Sequence, residues 1–583
     1  MSTRGSEAGV VPSRPRPRWT FRTRPEPRVV RTLERDLELP GALCRLLAVR
    51  GRTTPDTAKS FLRPRLRDLH DPALLLDSDR AARRLALAVE RGELVVIHGD
   101  YDADGIAAAA LLAGWIRTLG GRAEAIVPDR TRDGYDLSFA GVDRAIALGA
   151  GVIVTVDCGI AALDAVQRAT AAGVDVIVTD HHIPGPELPE ALAVLDPNRP
   201  GCTYPDKRLC GAGVAFKLGQ LLSRHLGRSG DEAWHQLDLV ALATIADQVE
   251  LKGENRILGR YGLRALGRSE RPGVQALMAS AELTPGNAVP SEAVAFRLAP
   301  RINAAGRVGD SSKALRLLLT EDSGEARSLA AVLERNNGER RELERRTTEE
   351  VFAALADVYD AAADRCVVVA GDGWHPGVIG IVASRVAERL FRPAVVIALD
   401  GDRGRGSARS IPDFDLHAAI AQCGSHLERF GGHHQAAGMD IHRDRVPAFR
   451  DAFRDVARSR LGAAEPRPSL HVDLEVALGE VDFDLYRYAT YLGPHGRGNP
   501  EPVYVARAVR VDGRPRVLKG GHVKFTMADG RSRLPAIGFG RADELVPELT
   551  GTELVDVAFS LIENTFRGVT TIQARVADVR PAD

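Results

Sequence analysis

Residues 94–105 read LVVIHGDYDADG, and the fold follows from that stretch. Residues 94–97 are aliphatic on both faces, as a strand buried inside a sheet requires. The chain then turns through HGDYDADG, which sets His98, Asp100, Asp102 and Asp104 within seven positions at the carboxyl end of that strand. So many like charges in one tight turn repel unless a cation sits among them. Open α/β sheets place their sites at this end of their strands.

Working outward, residues 152–156, 174–178 and 191–195 repeat the pattern of short apolar runs between Ala- and Leu-rich helical stretches. They predict a parallel α/β sheet. These runs end in Asp157, in Asp180-His181-His182 and in Asp196. Any one of these residues alone reads more readily as a helix N-cap, a turn residue or a solvent-facing polar side chain. Carboxylates and imidazoles after four successive predicted strands point instead to a metal site. Oxygen and imidazole donors without a thiolate cluster favour Mn²⁺ or Mg²⁺, and about six ligands suit two ions rather than one. No Walker A loop or kinase motif set is present, which argues against NTP-driven transfer.

The remaining chain divides by pattern. Residues 1–31 carry eight Arg against two Glu, with many Pro, and read as a disordered, solubilising arm or a basic patch. Residues 32–92 read as short helices. The predicted metal-binding domain spans 93–319. Residues 320–362, charged and free of Pro, predict one long helix joining two lobes, or else a surface helix of one domain. A second α/β lobe spans 363–462, with strands at 366–370 and 394–399. Short alternating strands over 468–583 predict a small β-barrel of the oligonucleotide-binding kind. The expected architecture is thus two α/β lobes joined by a long helix around a cleft, with a terminal β-barrel.

Of the 583 residues, 44% are hydrophobic and 27% charged, and the formal net charge is zero, so any nucleic-acid contact must rest on local patches. Six Cys without a C-x-x-C pair read as reduced thiols of a cytoplasmic protein. No apolar stretch is long enough to span a bilayer.

DYDADG, Asp157, Asp180-His181-His182 and the Asp247 of ATIADQVEL resemble the four motifs of the DHH phosphoesterase superfamily, in order and in type. The resemblance implies a bimetal phosphodiesterase with Asp102, Asp104, Asp157, His181 and Asp247 on the metals and Asp157 bridging. Asp100 completes the catalytic set, and His182 faces the scissile phosphate. His98 stands where pyrophosphatases of the superfamily place a ligand and is held as optional.

GSARS (406–410) and GGHHQAAGM (431–439) resemble the substrate-binding elements of the accessory DHHA1 domain, with Ala408 replacing a Gly. They offer Ser407, Arg409, Ser410, Gly432 and His433 to phosphate. PRINAAGR (300–307) is read as a turn offering Arg301, Asn303 and Arg307. WHPGVIGIVASR (374–385) and GPHGRGNPEP (493–502) are similar to segments of the RecJ branch, which the chain resembles from about residue 40 onward. That branch implies 5′→3′ hydrolysis of single-stranded DNA to mononucleotides in recombination and repair. It also implies two Mn²⁺ or Mg²⁺ ions, a monomer, and single-stranded-DNA-binding protein or a helicase as partners. Tyr504, Phe525, Phe539 and Phe566 are candidates for base stacking. The metal-binding and DHHA1-like motifs all lie before Pro468, so chemistry is expected to survive removal of the terminal domain. The alternatives are an oligoribonuclease or cyclic-dinucleotide phosphodiesterase of the same superfamily, and a non-catalytic DNA-binding scaffold.

Overall fold

The structure is a computed structural model that describes residues 14–130, 133, 134, 136–361 and 363–582. The chain divides into two compact units. One comprises Glu26–Asn337 and Arg487–Glu501; the other comprises the N-terminal residues to Pro25, Gly338–Tyr486 and Pro502–Asp583.

The first unit is built on five parallel strands: β1 (Leu94–Gly99), β2 (Arg122–Ile126), β3 (Ala150–Val156), β4 (Asp175–Thr179) and β5 (Ala193–Leu195). Their order is β2-β1-β3-β4-β5. Strand β2 is absent from the sequence reading. It is an edge strand whose RAEAI alternates exposed and buried positions, so it lacks the continuous apolar run of its neighbours. The helix Ala103–Thr118 is rich in Ala and buried nearly all round. Trp115 on that helix packs on Gly219 of the helix Gly211–His225, where a Cβ would come within 2.4 Å of the indole. Short helices over Pro27–Leu37, Gly41–Val49, Pro55–Leu62 and Ser78–Arg91 precede the sheet.

Pro300–Arg307 lies in the helix Ala299–Val308, not in a turn. It continues the helix Ser291–Ala293 through the π-helical turn Val294–Leu298, and that wider turn just before Pro300 accommodates the missing N–H inside a helical run that reaches Val308. The helix Ser323–Val358 is continuous over 36 residues. Arg340–Glu344 and Arg345–Glu349 pairs one turn apart support it.

The second unit holds a mixed sheet of β6 (Val367–Asp372), β7 (Ala394–Asp400), β8 (Arg403–Arg409), β9 (Arg429–Gly432) and β10 (Ala436–His442), ordered β9-β10-β8-β7-β6. Only β6 and β7 carry the apolar runs that mark buried strands; β8 and β9 are rich in Gly and Arg, β10 alternates between more and less buried positions, and all three escape that signal. The terminal part is a seven-stranded sheet of β11 (Leu474–Glu475), β12 (Tyr504–Val511), β13 (Arg516–Leu518), β14 (His522–Asp529), β15 (Ser532–Gly538), β16 (Val555–Phe566) and β17 (Val569–Pro581). Its order is β11-β12-β16-β17-β15-β14-β13, and β12 also pairs with β14.

Two expectations need correction. Residues 1–13 of the basic arm lie outside the described residues, but residues 14–31 are ordered. Arg18–Phe21 forms a parallel strand with Ser469–Val472. Trp19 is buried there, and its Nε1 donates to Asp578 Oδ2 at 2.7 Å. One buried aromatic with a hydrogen-bond partner outweighs the Arg- and Pro-rich composition. Of the four candidate stacking aromatics, Tyr504 and Phe525 are core residues at 1% and 5% exposure, whereas Phe539 and Phe566 are exposed at 49% and 66%.

Candidate metal centre and phosphate-binding sheet

The turn after β1 is closed by glycine. A Cβ on Gly105 would lie 2.4 Å from Asp100 N, so the turn can fold onto the start of the helix Ala103–Thr118 only with glycine there. Asp102 caps that helix: its Oδ1 accepts from Asp104 N at 2.9 Å and Gly105 N at 3.1 Å. Asp104 reaches the amino end of a different helix, accepting from Gly211 N at 2.7 Å and Ala212 N at 2.8 Å. Asp157, after β3, sits in the left-handed region at φ 63°. Gly211 packs against it so closely that a Cβ would fall 2.4 Å from Asp157 Cβ.

These placements gather the predicted ligands. Atoms of Asp157, His181 and His182 lie within 4.8 Å of one another, as do those of Asp104, His181 and Asp247, and those of Asp100, Asp102 and Asp157. His181 Nε2 lies 3.0 Å from Asp157 Oδ1 and 3.8 Å from Asp247 Oδ2. Neither His181 Nε2 nor Asp100 Oδ1, both buried, has a hydrogen-bond partner. Buried polar atoms are normally paired, and an orphaned imidazole nitrogen facing crowded carboxylates fits a divalent cation.

The protonation states agree. Burial, reinforced by the Asp104, Asp102, Asp247 and Asp100 charges, pushes the Asp157 carboxyl well above its usual range. Asp100 and Asp247 are raised in the same way, and Asp104 is pushed up to about 7 by burial and Asp102. Burial and the His182 charge push His181 down to about 4, leaving it the neutral imidazole a metal needs.

His182 behaves oppositely. Burial lowers it, but its 2.7 Å hydrogen bond to Asp180 and the nearby Asp charges outweigh that and lift it to about 9. Asp180 was read as part of the third motif but given no role of its own. It orients the centre: Oδ1 accepts from His181 N and His182 N, and Oδ2 from Ile160 N. Asp136 was missed. Its Oδ1 accepts from Gly159 N at 2.6 Å and Leu137 N at 2.8 Å, fixing the turn beyond Asp157, and nothing in DGYDLS announces that role.

His98 is not brought into these groups. Its Nδ1 lies 3.8 Å from Cys158 Sγ, and its Nε2 faces Gly141 so closely that a Cβ there would come within 2.7 Å. Arg301 is engaged elsewhere, in an ion pair with Glu334 at 2.6 Å and a bond to Ser280 O. Asn303 Oδ1 accepts from Ala103 N at 2.8 Å, which caps the helix that carries Asp104. Arg307 is half-buried, and its charge acts on Tyr101.

In the second unit, the register Gly431↔Gly438↔Ser407 puts the two Gly-rich motifs on adjacent strands. Ser407 Oγ accepts from Arg409 Nη1 at 3.0 Å. A Cβ on Gly380 would stand 3.0 Å from both side chains, so Gly380 leaves them room. Gly432 has φ 140°, and a Cβ there would meet Ala436 O at 2.4 Å, so the hairpin requires glycine. His433 is exposed at this turn. Ser410 is occupied, its hydroxyl donating to Phe414 O at 2.6 Å. Small residues beside an arginine and an exposed histidine can receive a phosphate through backbone N–H groups and charge.

The models for the DHH family N-terminal domain, the DHHA1 domain and the RecJ OB domain match residues 94–244, 363–459 and 472–578. The single-stranded-DNA-specific exonuclease RecJ of Bacillus subtilis is 38% identical over 530 residues, covering 90% of this chain and 66% of that protein. The protein of the same name from Dickeya dadantii is 36% identical over 570 residues, covering 93% of this chain and 96% of its own. The crystal structure of RecJ in complex with Mn²⁺ from Thermus thermophilus matches with a TM-score of 0.83 at 31% identity, over 97% of this chain and 80% of that one. The Mg²⁺ complex of RecJ from the same organism matches with a TM-score of 0.78 at 30% identity, over 97% and 79%.

Proposed function

The chain belongs to the RecJ family, and on that premise we propose that it is a two-metal exonuclease that degrades single-stranded DNA from the 5′ end to mononucleotides. The observation that carries this reading is the sharing of Asp157 and His181 between groups of ligand atoms, which suits two adjacent cations. Asp102, Asp104, Asp157, His181 and Asp247, with Asp100 grouped beside Asp102 and Asp157, would hold Mn²⁺ or Mg²⁺. When bound, the ions supply Lewis acidity at the scissile phosphate.

The chain's own residues do the rest. The helix that begins at Gly211 holds Asp104 by two backbone N–H groups, so the ligand is aimed before metal arrives. Asp180 holds His182 through Nδ1, which leaves Nε2 to present a proton to a phosphate oxygen. Ser407, Arg409, Gly432 and His433 receive the 5′-terminal part of the strand. Exposed Phe539 and Phe566 on the terminal sheet offer faces for bases farther along.

No helix among the described residues is long and apolar enough to cross a membrane. Six free thiols suit work on DNA in the reducing cytoplasm, where a helicase or single-stranded-DNA-binding protein would present the strand.

The test compares a long single strand with a dinucleotide, each with Mn²⁺ and with chelator. Rapid, metal-dependent loss of the long strand supports the exonuclease; turnover of the dinucleotide alone would replace it with an oligonucleotide-clearing phosphodiesterase.

A further inference from the structure

The metal centre has a neighbour in the GPHGRGNPEP segment, to which the sequence reading gave no role. Residues 493–501 lie far along the sequence, after the last strand of the second α/β lobe, yet Arg487–Glu501 belongs to the same compact unit as Asp157 and Asp247. The segment is fastened at several points. Arg256 Nη1 donates to Leu492 O at 2.7 Å, and Ser291 Oγ to His495 O at 2.6 Å. Buried Asn499 donates from Nδ2 to both Leu492 O and Pro494 O at 2.8 Å, closing the loop on itself.

Its tip lies along the chain that leaves the metal centre. Leu251 N, four residues past Asp247, donates to Arg497 O at 2.8 Å. Gly498, at φ 74°, approaches so near that a Cβ would stand 3.0 Å from Glu250 Cβ. Arg497 is exposed on this anchored tip, and among the described residues its guanidinium makes no ion pair. Its charge lies close enough to act on Asp247, four residues before the Leu251 that holds the loop.

We propose that Arg497 is a phosphate-positioning residue of the metal centre, held there by the folded loop of residues 493–501. A guanidinium cannot ligate a metal and repels one. Its use beside carboxylates that hold cations is to receive an anion, and its planar fork suits a phosphodiester. The proposal rests on the reading of the centre as a phosphodiesterase.

Arg497→Ala and Arg497→Lys separate this role from a purely structural one, because the two consequences of the charge have opposite signs. Calorimetric titration of the full-length, DNA-free protein with Mn²⁺ should show Arg497→Ala binding the metal about two- to five-fold more tightly, since a nearby cation is gone. In Mn²⁺, its KM for a long single strand should rise several-fold. The slope of log KM against log salt should also shrink by about 0.7, the share of one single-strand phosphate contact. Arg497→Lys should recover part of both changes. Weaker or unchanged Mn²⁺ binding, or an unchanged salt slope, would overturn the proposal. Should the wild-type protein fail to hydrolyse DNA, the functional reading falls by itself, and tighter Mn²⁺ binding by Arg497→Ala would still report the charge at the centre.

Discussion

His181 Nε2 and Asp157 Oδ1 stand 3.0 Å apart, yet the imidazole nitrogen makes no hydrogen bond there. The pair is arranged to face a common third partner rather than each other. Asp157→Asn, close in shape, should therefore abolish Mn²⁺-dependent hydrolysis. Because it deletes one of several like charges in a buried cluster, it should also raise the stability of the chelated protein at pH 8 by about 1–3 kcal/mol. Denaturant unfolding in chelator checks the second claim, and a destabilised variant would count against a cluster of mutually repelling carboxylates.

Metal removal should make stability depend on pH with a definite sign. Asp104 is held near 7 in the folded chain against roughly 3.9 in an unfolded one. Its folded pKa is thus raised, the folded state binds more protons, and stability falls as pH rises between those values. Asp100, Asp157 and Asp247 shift in the same direction. The chelated protein should melt at a lower temperature at pH 8 than at pH 5.5, and Mn²⁺ should raise the melting temperature more at pH 8. A flat profile in chelator would show that the carboxylates do not repel one another.

Gly211→Ala tests the close approach that sets Asp157. The added Cβ would fall 2.4 Å from Asp157 Cβ, with Asp157 already at positive φ. Strain of about 1–3 kcal/mol should follow, with weaker Mn²⁺ binding, while affinity for DNA through the second unit is retained. Calorimetry and strand binding in chelator read the two separately.

Much of this was legible in the sequence, for a physical reason. Buried parallel strands must be apolar on both faces, so β1, β3, β4 and β5 stand out, and their carboxyl ends deliver Asp157, His181 and their companions to one place. What escaped detection lacks that signature. Strand β2 alternates, β8 and β9 trade aliphatic side chains for glycine and arginine, and β10 alternates. Asn303 and Arg301 have the chemistry of phosphate ligands, but one caps a helix and the other pairs with Glu334, and spacing carries no sign of either partner. The placement of Arg487–Glu501 with the metal unit depends wholly on long-range contacts.

That placement reverses one expectation drawn from motif positions. Cutting the chain near Pro468 removes residues that hold Arg256 and Leu251, and also the strand Ser469–Val472 that pairs with Arg18–Phe21. The truncated protein should lose thermal stability and act poorly on short and long substrates alike. Full activity on a very short oligonucleotide, with loss confined to long strands, would show that the segment is dispensable to the metal unit.

The most direct test of the central claim follows single strands labelled at either end, with and without Mn²⁺. The account predicts that, with metal, a 5′ label leaves at once as a mononucleotide while a 3′-labelled strand shortens progressively, and that neither changes in chelator. Release of a 3′ label first, or degradation that ignores the metal, would contradict it.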